Sequence, residues 1–205
     1  LTPLTSGSDP LDDEVSYWQR DLDGTDLAGH SARLVEFEQS RLRGISLTGS
    51  VLNKATVIDC VIVNADLANA QFTSSTFRRV SVAEARMTGT HFVNSDLRDV
   101  TFTECRLDLA SFRFSKFTDV VFEQCNLTRA DFTNADLQGA RFVDCDLTGS
   151  QFVHATMTGA VLSRCVLSDV GAVASFRGAV VESQDIIALA YVLADALGIV
   201  LASAD

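Results

Sequence analysis

Hydrophobic residues make up 47% of this 205-residue chain, yet no apolar run approaches the ~18 consecutive residues that a membrane span requires. The start lacks the charged, apolar and small-residue succession of a secretory signal, and a soluble, cytoplasmic protein is expected. Histidine is scarce: His30, His91 and His154 are the only three, and no nucleophile is spaced to pair with any of them. There is no glycine-rich phosphate loop, because the glycines at 44, 49, 89, 139, 149 and 159 fall singly at intervals that are multiples of five. The five cysteines have neither C-x-x-C spacing nor histidine partners, so no metal site is expected. These absences leave no constellation for acid–base, nucleophilic, metal or cofactor chemistry, and the chain is not expected to be an enzyme.

What is present is a period of five. From position 37 to position 167 every fifth residue is Leu, Phe, Ile, Val or Met, twenty-seven positions without a break. Two residues before each lies a small or β-branched side chain, such as Ser40, Ala55, Cys60, Ala65, Ser75, Ala85 or Cys105. Neither the helical period of 3.6 nor the strand period of 2 keeps such a repeat on one side. The chain must turn at every unit, and each unit buries its apolar residue only by stacking on its neighbours, which predicts a solenoid. In Ala130-Asp131-Phe132-Thr133-Asn134, alternation sends Ala130 and Phe132 inward and leaves Asp131, Thr133 and Asn134 in water. The glycines close their pentads, where a turn with positive φ is needed.

Units such as Ala65-Asp66-Leu67, Ala130-Asp131-Phe132 and Ala135-Asp136-Leu137 resemble the pentapeptide repeat, whose consensus is A(D/N)LXX. The register extends back through Leu27 to Leu22, with Ala32 as its weak position. The resemblance implies an all-β solenoid, a right-handed quadrilateral β-helix with four pentads, hence twenty residues, per coil. Sorting at twenty supports this independently. One column reads Phe72, Phe92, Phe112, Phe132, Phe152, another Leu27, Leu47, Leu67, Met87, Leu107, Leu127, Leu147, Leu167. Phe102, Phe122 and Phe142 lie two sides from the first column, so aromatic rungs should face each other while Leu dominates the other pair of sides. Seven to eight coils at an assumed ~4.8 Å each give a rod roughly 35 Å long. All five cysteines occupy the small inward position, with Cys105, Cys125, Cys145 and Cys165 twenty apart, and buried free thiols are expected.

Three segments follow: residues 1–20, an acidic leader and cap with Tyr17 and Trp18 over the first coil; residues 21–170, the β-helix; and residues 171–205, a C-terminal cap. In the last, Ser183 is placed to cap a helix whose apolar positions include Ile186, Ile187, Leu189, Leu193 and Leu197, with Gly198 as its stop and an apolar run from Ile199 to Leu201 beyond it. The helix should cover the last coil. This ending is similar to that of the Qnr-type and MfpA-type pentapeptide repeat proteins, and the likeness implies a homodimer through the C-terminal ends, using Ile186, Ile187, Leu189, Leu193, Leu197 and Ile199.

The net charge is −11, which argues against direct binding to nucleic acid. The first forty residues hold nine acids against Arg20 and Arg33, so the coil itself is mildly acidic. Its most acidic side is assigned Asp59, Asp96, Asp99, Asp119 and Asp136, whereas the side on the Phe72–Phe152 column has only Asp131 against Arg33, Lys54 and Arg113. What the resemblance implies is a DNA mimic that binds DNA gyrase or topoisomerase IV and modulates it or protects it from quinolones, with those five aspartates as contacts. The alternative is a scaffold or protein-interaction module that uses shape and the aromatic edge at Phe114.

Overall fold

Between Ser16 and Ser163 the strands pair in parallel with one another one turn away, at an offset of twenty: Ser16 lies beside Glu36, Thr76 beside Asp96, Asp96 beside Lys116, and Arg141 beside Val161. At the two ends the offset shortens, Thr2 lying beside Arg20 and Val161 beside Val180. The structure is a computed structural model that describes residues 2–3, 11–182 and 186–200. Its architecture is a β-solenoid of about eight turns followed by one short helix. The longest strands, Thr76–Ala83, Asp96–Thr103 and Lys116–Glu123, run through a corner without breaking, while many other pentads contribute a single bridge to the ladder.

From Ala32 to Val170 both inward positions of every pentad are buried, whereas in the first coil Val15, Arg20 and Thr25 are half-buried and His30 is exposed. Phe112, Phe122, Phe132, Phe142 and Phe152 are wholly inaccessible, as are Ala110, Ala130 and Ala140. Rings within a column lie nearly parallel, with Phe92, Phe112, Phe132 and Phe152 at successive centroid spacings of 5.1 Å. Across the core the two phenylalanine columns meet edge to face, Phe112 with Phe122 at 5.7 Å and Phe132 with Phe142 at 5.8 Å. Each such pair adds about 0.5–1.5 kcal/mol beyond the area it buries. The remaining sides are less uniform than expected. One is leucine-rich, but the other stacks Tyr17, Phe37, Val57, Phe77, Leu97, Phe117, Leu137 and Met157.

The small inward residues are small because their side chains meet backbone. Ser95 Oγ donates to the Phe72 carbonyl at 2.6 Å and accepts from the Ser75 amide at 3.1 Å, and Ser115 repeats the pattern one coil on. Cysteine thiols do the same more weakly, Cys125 Sγ lying 3.4 Å from the Phe102 carbonyl. All five cysteines are buried free thiols. The fifth residue of every pentad from 14 to 169 has positive φ. Only eight of these thirty-two corners are glycine, so aspartate, asparagine, glutamate, glutamine and arginine occupy most of the left-handed positions. The amides at these turns are satisfied by the neighbouring coil: the Asp59 amide donates to the Arg78 carbonyl at 3.0 Å and that of Asp119 lies within an unbroken ladder strand.

The ends differ from the sequence reading. The ladder is already running at Ser16–Trp18, and Glu14 and Gln19 are regular corners, so part of the segment read as a leader is coil. Tyr17 is an ordinary rung, stacked on Phe37 at 4.9 Å, but Trp18 is 56% exposed and covers nothing, because it falls at an outward position. Residues 1 and 4–10 of the leader lie outside the described residues, as do Ser183 and Leu201. At the other end the ladder passes Val170 to pair Gly171 with Gln151. A 3-10 turn, Val173–Phe176, then brings Phe176 edge-on to Phe152 at 5.1 Å, closing the aromatic column despite being one residue out of register. After Val180–Val181 the chain forms helix α1, Ile186–Ala196. Cover of the last coil falls to Leu189, which is buried, and the half-buried Val192, while most other apolar residues of the helix face outward. Among the described residues no helix is long and apolar enough to cross a membrane.

Candidate partner-binding faces

Each pentad offers three outward positions, and they do different work. The residue just before the central apolar one is where the repeat prefers Asp or Asn, and the reason is local. Asp66, Asp131, Asp136 and Asp146 each turn a carboxylate oxygen onto the backbone amide two residues ahead, at 3.1, 2.9, 3.3 and 2.9 Å. The turn is held by its own side chain, so an acid here is first of all structural. The corner residue has no such task, and its side chain projects from an edge of the rod.

This distinction divides the five aspartates assigned to one face. Asp96 and Asp136 lie on the side itself, in a rung column where Lys116 stands between them. Asp136 holds the Gln138 amide, and one oxygen of Asp96 is buried without a donor, which leaves a single oxygen for any partner. Asp59, Asp99 and Asp119 are corners, shared with the neighbouring side. Asp59 is engaged: Arg79 grips both its oxygens at 2.5 and 2.7 Å and holds its carboxyl below the usual carboxylate range. Asp99 and Asp119 are exposed and, among the described residues, have no ion pair within 4.0 Å. The other ion pairs follow the same vertical logic, Arg86 with Asp66 at 2.6 Å and Arg164 with Asp144 at 2.7 Å, each one coil apart.

The structure also brings forward acids that the face-by-face reading passed over. The side that begins after Asp99 ends at Glu104, and the side one coil earlier ends at Glu84; both glutamates are exposed corners without an ion pair among the described residues. Asp99 and Asp119 therefore line one edge of a side and Glu84 and Glu104 line the other. Between the edges lie Ser81, Thr101, Thr103 and Val121, together with one acid, the exposed Glu123, which stacks on Thr103. The signal was present in the sequence as acids at the fifth position of pentads twenty apart, but it becomes an edge only when that position is known to be a corner.

The residues assigned to dimerisation also separate. Leu189 is 8% exposed and faces its own chain, so it cannot belong to an outward contact. Ile186, Ile187, Leu193, Leu197 and Ile199 are exposed, between 40% and 75%. Ile186, Ile187, Ala190, Tyr191 and Ala194 line an open apolar groove of about 350 Å³. Inside the coil the void is about 10 Å³, where aromatic rungs give way to Leu, Val and Ile, and this is too small for a substrate.

Similar solved structures include trypsin-treated QnrB1, a plasmid-mediated fluoroquinolone resistance protein, at 20% identity, covering 91% of this chain and 100% of that one with a TM-score of 0.37. HetL, a protein involved in heterocyst differentiation regulation from the cyanobacterium Nostoc sp., matches at 15% identity over 83% and 91% of the two chains with a TM-score of 0.34. A protein of the Arabidopsis thaliana thylakoid lumen matches at 26% identity over 58% and 68% with a TM-score of 0.39. No curated protein matches significantly. The pentapeptide repeat region family matches residues 35–112, and the model of eight pentapeptide repeats matches residues 105–144 and 130–169. With the twenty-residue coil, the two buried columns per side and these matches across most of the rod, the chain belongs to the pentapeptide repeat family.

Proposed function

We propose that this protein is a non-enzymatic binding module whose acidic edges stand in for the phosphate strands of a DNA duplex, and that its partner is DNA gyrase or topoisomerase IV. The observation that carries this reading is the pair of acidic edges, Asp99 and Asp119 on one and Glu84 and Glu104 on the other, flanking a side that holds no cation from Val80 to Gln124 and one further acid, Glu123. On each edge the two carboxylates stand one coil apart, about 4.8 Å, which compares with roughly one phosphate per 3.4 Å of each DNA strand. Because corner backbones are fixed by the ladder, the charges are presented without the ordering cost of a flexible acidic tail. A basic saddle shaped for phosphates would meet them as it meets DNA.

End-to-end association of two copies would lengthen the rod and cover the apolar groove of α1, and it is part of the same proposal. The test of partner choice is a DNA-supercoiling assay with bacterial gyrase, with and without a fluoroquinolone. The protein is compared with a variant carrying Asp99→Asn, Asp119→Asn, Glu84→Gln and Glu104→Gln. Inhibition or drug protection that vanishes in the variant and weakens steeply as salt rises is the expected result. An effect that survives both changes would point to an apolar interface and to the scaffold reading, and no effect on gyrase or topoisomerase IV would remove the topoisomerase as partner.

A further inference from the structure

Of the twenty-four non-glycine corners with positive φ between residues 14 and 169, only Leu34, Leu109 and Phe114 are large and apolar. A bulky side chain enters this backbone region against a steric penalty that glycine and asparagine largely escape. Leu109 and Phe114, at φ 59 in both cases, are consecutive corners that open and close one side of a single coil. They are 52% and 53% exposed, so the penalty is not offset by burial. The core beneath them is complete without them, since the inward residues of that side, Ala110 and Phe112, are fully buried. Backbone strain together with exposed apolar area is the signature of a surface kept for contact.

The charges around this pair are unlike those of the chain as a whole. Arg113 lies between the two corners, its guanidinium carbon 5.7 Å from the Phe114 ring centroid and its nitrogen 3.3 Å from Asp131. Arg106 precedes Leu109 on the adjoining side and is stacked between Arg86 and Asn126. Arg129 occupies the corner one coil beyond Leu109. Arg106 and Arg129 are both exposed, and among the described residues neither has a carboxylate within 4.0 Å. In a chain of net charge −11, three arginines thus stand around the two strained apolar residues against two carboxylates, Asp131, paired with Arg113, and Asp108, which accepts from the Thr88 hydroxyl, on the side opposite the one bounded by the acidic edges.

We propose that Leu109 and Phe114, with Arg106, Arg113 and Arg129, form a second docking surface, for a protein segment that combines large apolar side chains with carboxylates. The apolar corners supply the anchors and the arginines select the charge. A single-stranded nucleic acid could also stack a base on Phe114, but its continuous phosphates would meet the negative field of the whole rod, whereas a short acidic peptide meets only the arginines. This inference rests on the corners of one coil and not on the acidic edges, so the two readings fail separately.

The probes are fluorescein-labelled short peptides that alternate Glu with Leu and Phe, the same peptides with Lys for Glu, and a single-stranded oligothymidylate, each titrated by fluorescence anisotropy. The acidic peptides are expected to bind the wild-type protein, and the variant L109G/F114N is expected to lose at least about tenfold in affinity. The edge variant with Asp99→Asn and Asp119→Asn should bind the peptides as well as wild type. Because glycine and asparagine relieve the strained corners, L109G/F114N should melt at the wild-type temperature or above it. A lower melting temperature would assign the two residues to the fold. Unchanged affinity in L109G/F114N, preference for the lysine peptides or the oligonucleotide, or no peptide binding at all would each overturn the proposal.

Discussion

A corner residue and an inward residue obey opposite rules in this protein. At the corner the backbone demands positive φ and leaves the side chain free, so Asp59, Asn94, Glu104 and Arg129 are all accommodated. At the small inward position the side chain must fit against a carbonyl of the previous coil, so Ser, Ala, Thr, Cys and Val recur. Burial pushes the Cys60 thiol up to about 11. In the column of four, hydrogen bonding between neighbouring thiols raises Cys125 and Cys165 and lowers Cys105 and Cys145. Every sulfur is nevertheless enclosed, and exclusion of the reagent outweighs differences in acidity. All five thiols should therefore stay silent to a colourless-to-yellow disulfide reagent at pH 8 in the native protein and react together once guanidinium unfolds it. Fast labelling of any one of them in the folded protein would show that its part of the coil opens locally.

Among the elements, α1 is the one whose sequence and surroundings disagree most. Its apolar residues are enough for a buried helix, yet among its described side chains only Leu189 is buried on its own chain, with Val192 and Ala194 partly covered. Replacing the exposed Leu193 and Leu197 by Glu should leave the circular dichroism spectrum and melting temperature of the rod unchanged, since neither side chain packs on the coil. If two copies meet through this helix, the same double substitution should convert a dimer to a monomer by multi-angle light scattering. A dimer that persists would place the interface elsewhere on the rod, and a loss of folded signal would mean that the helix is docked more deeply than its exposure indicates.

For the molecule as a whole, stability is a sum of coil-on-coil contacts with a phase of twenty residues. Excising residues 76–95 removes one coil and leaves every column in register, joining Ser75 to Asp96 as it was joined to Thr76. The shortened protein should still unfold cooperatively, at a melting temperature lower by a few degrees, about what the loss of one stacking interface implies. Excising only residues 76–80 keeps the five-residue pattern but rotates all later columns by one side, so that Phe92 would stack on Leu67 rather than on Phe72. That variant should lose its cooperative transition or expose apolar surface to a hydrophobic dye. Equal stability of the two deletions would mean that the columns carry little of the specificity, and that any apolar residue stacks on any other.

The linear chain by itself determined the coil, because a period of five sustained over twenty-seven positions has one way to bury its apolar residues, and like residues at a spacing of twenty identify four sides. It likewise determined that the cysteines are inward and that glycines close pentads. It did not reveal which acids are available. Asp59 and Asp99 occupy the same position in their pentads, and only the stacking of Arg79 onto Asp59 separates an engaged carboxylate from an open one. Asp136 looks as available as Asp119 until its bond to the Gln138 amide is seen. The terminal segments were the least legible, because Trp18, Phe176 and Leu189 are outside or at the limit of the repeat, where direction depends on the packing of one end and not on a period. Repetition determines what faces inward, since every coil solves the same burial problem; what faces outward is decided between coils, by which side chain lies above which.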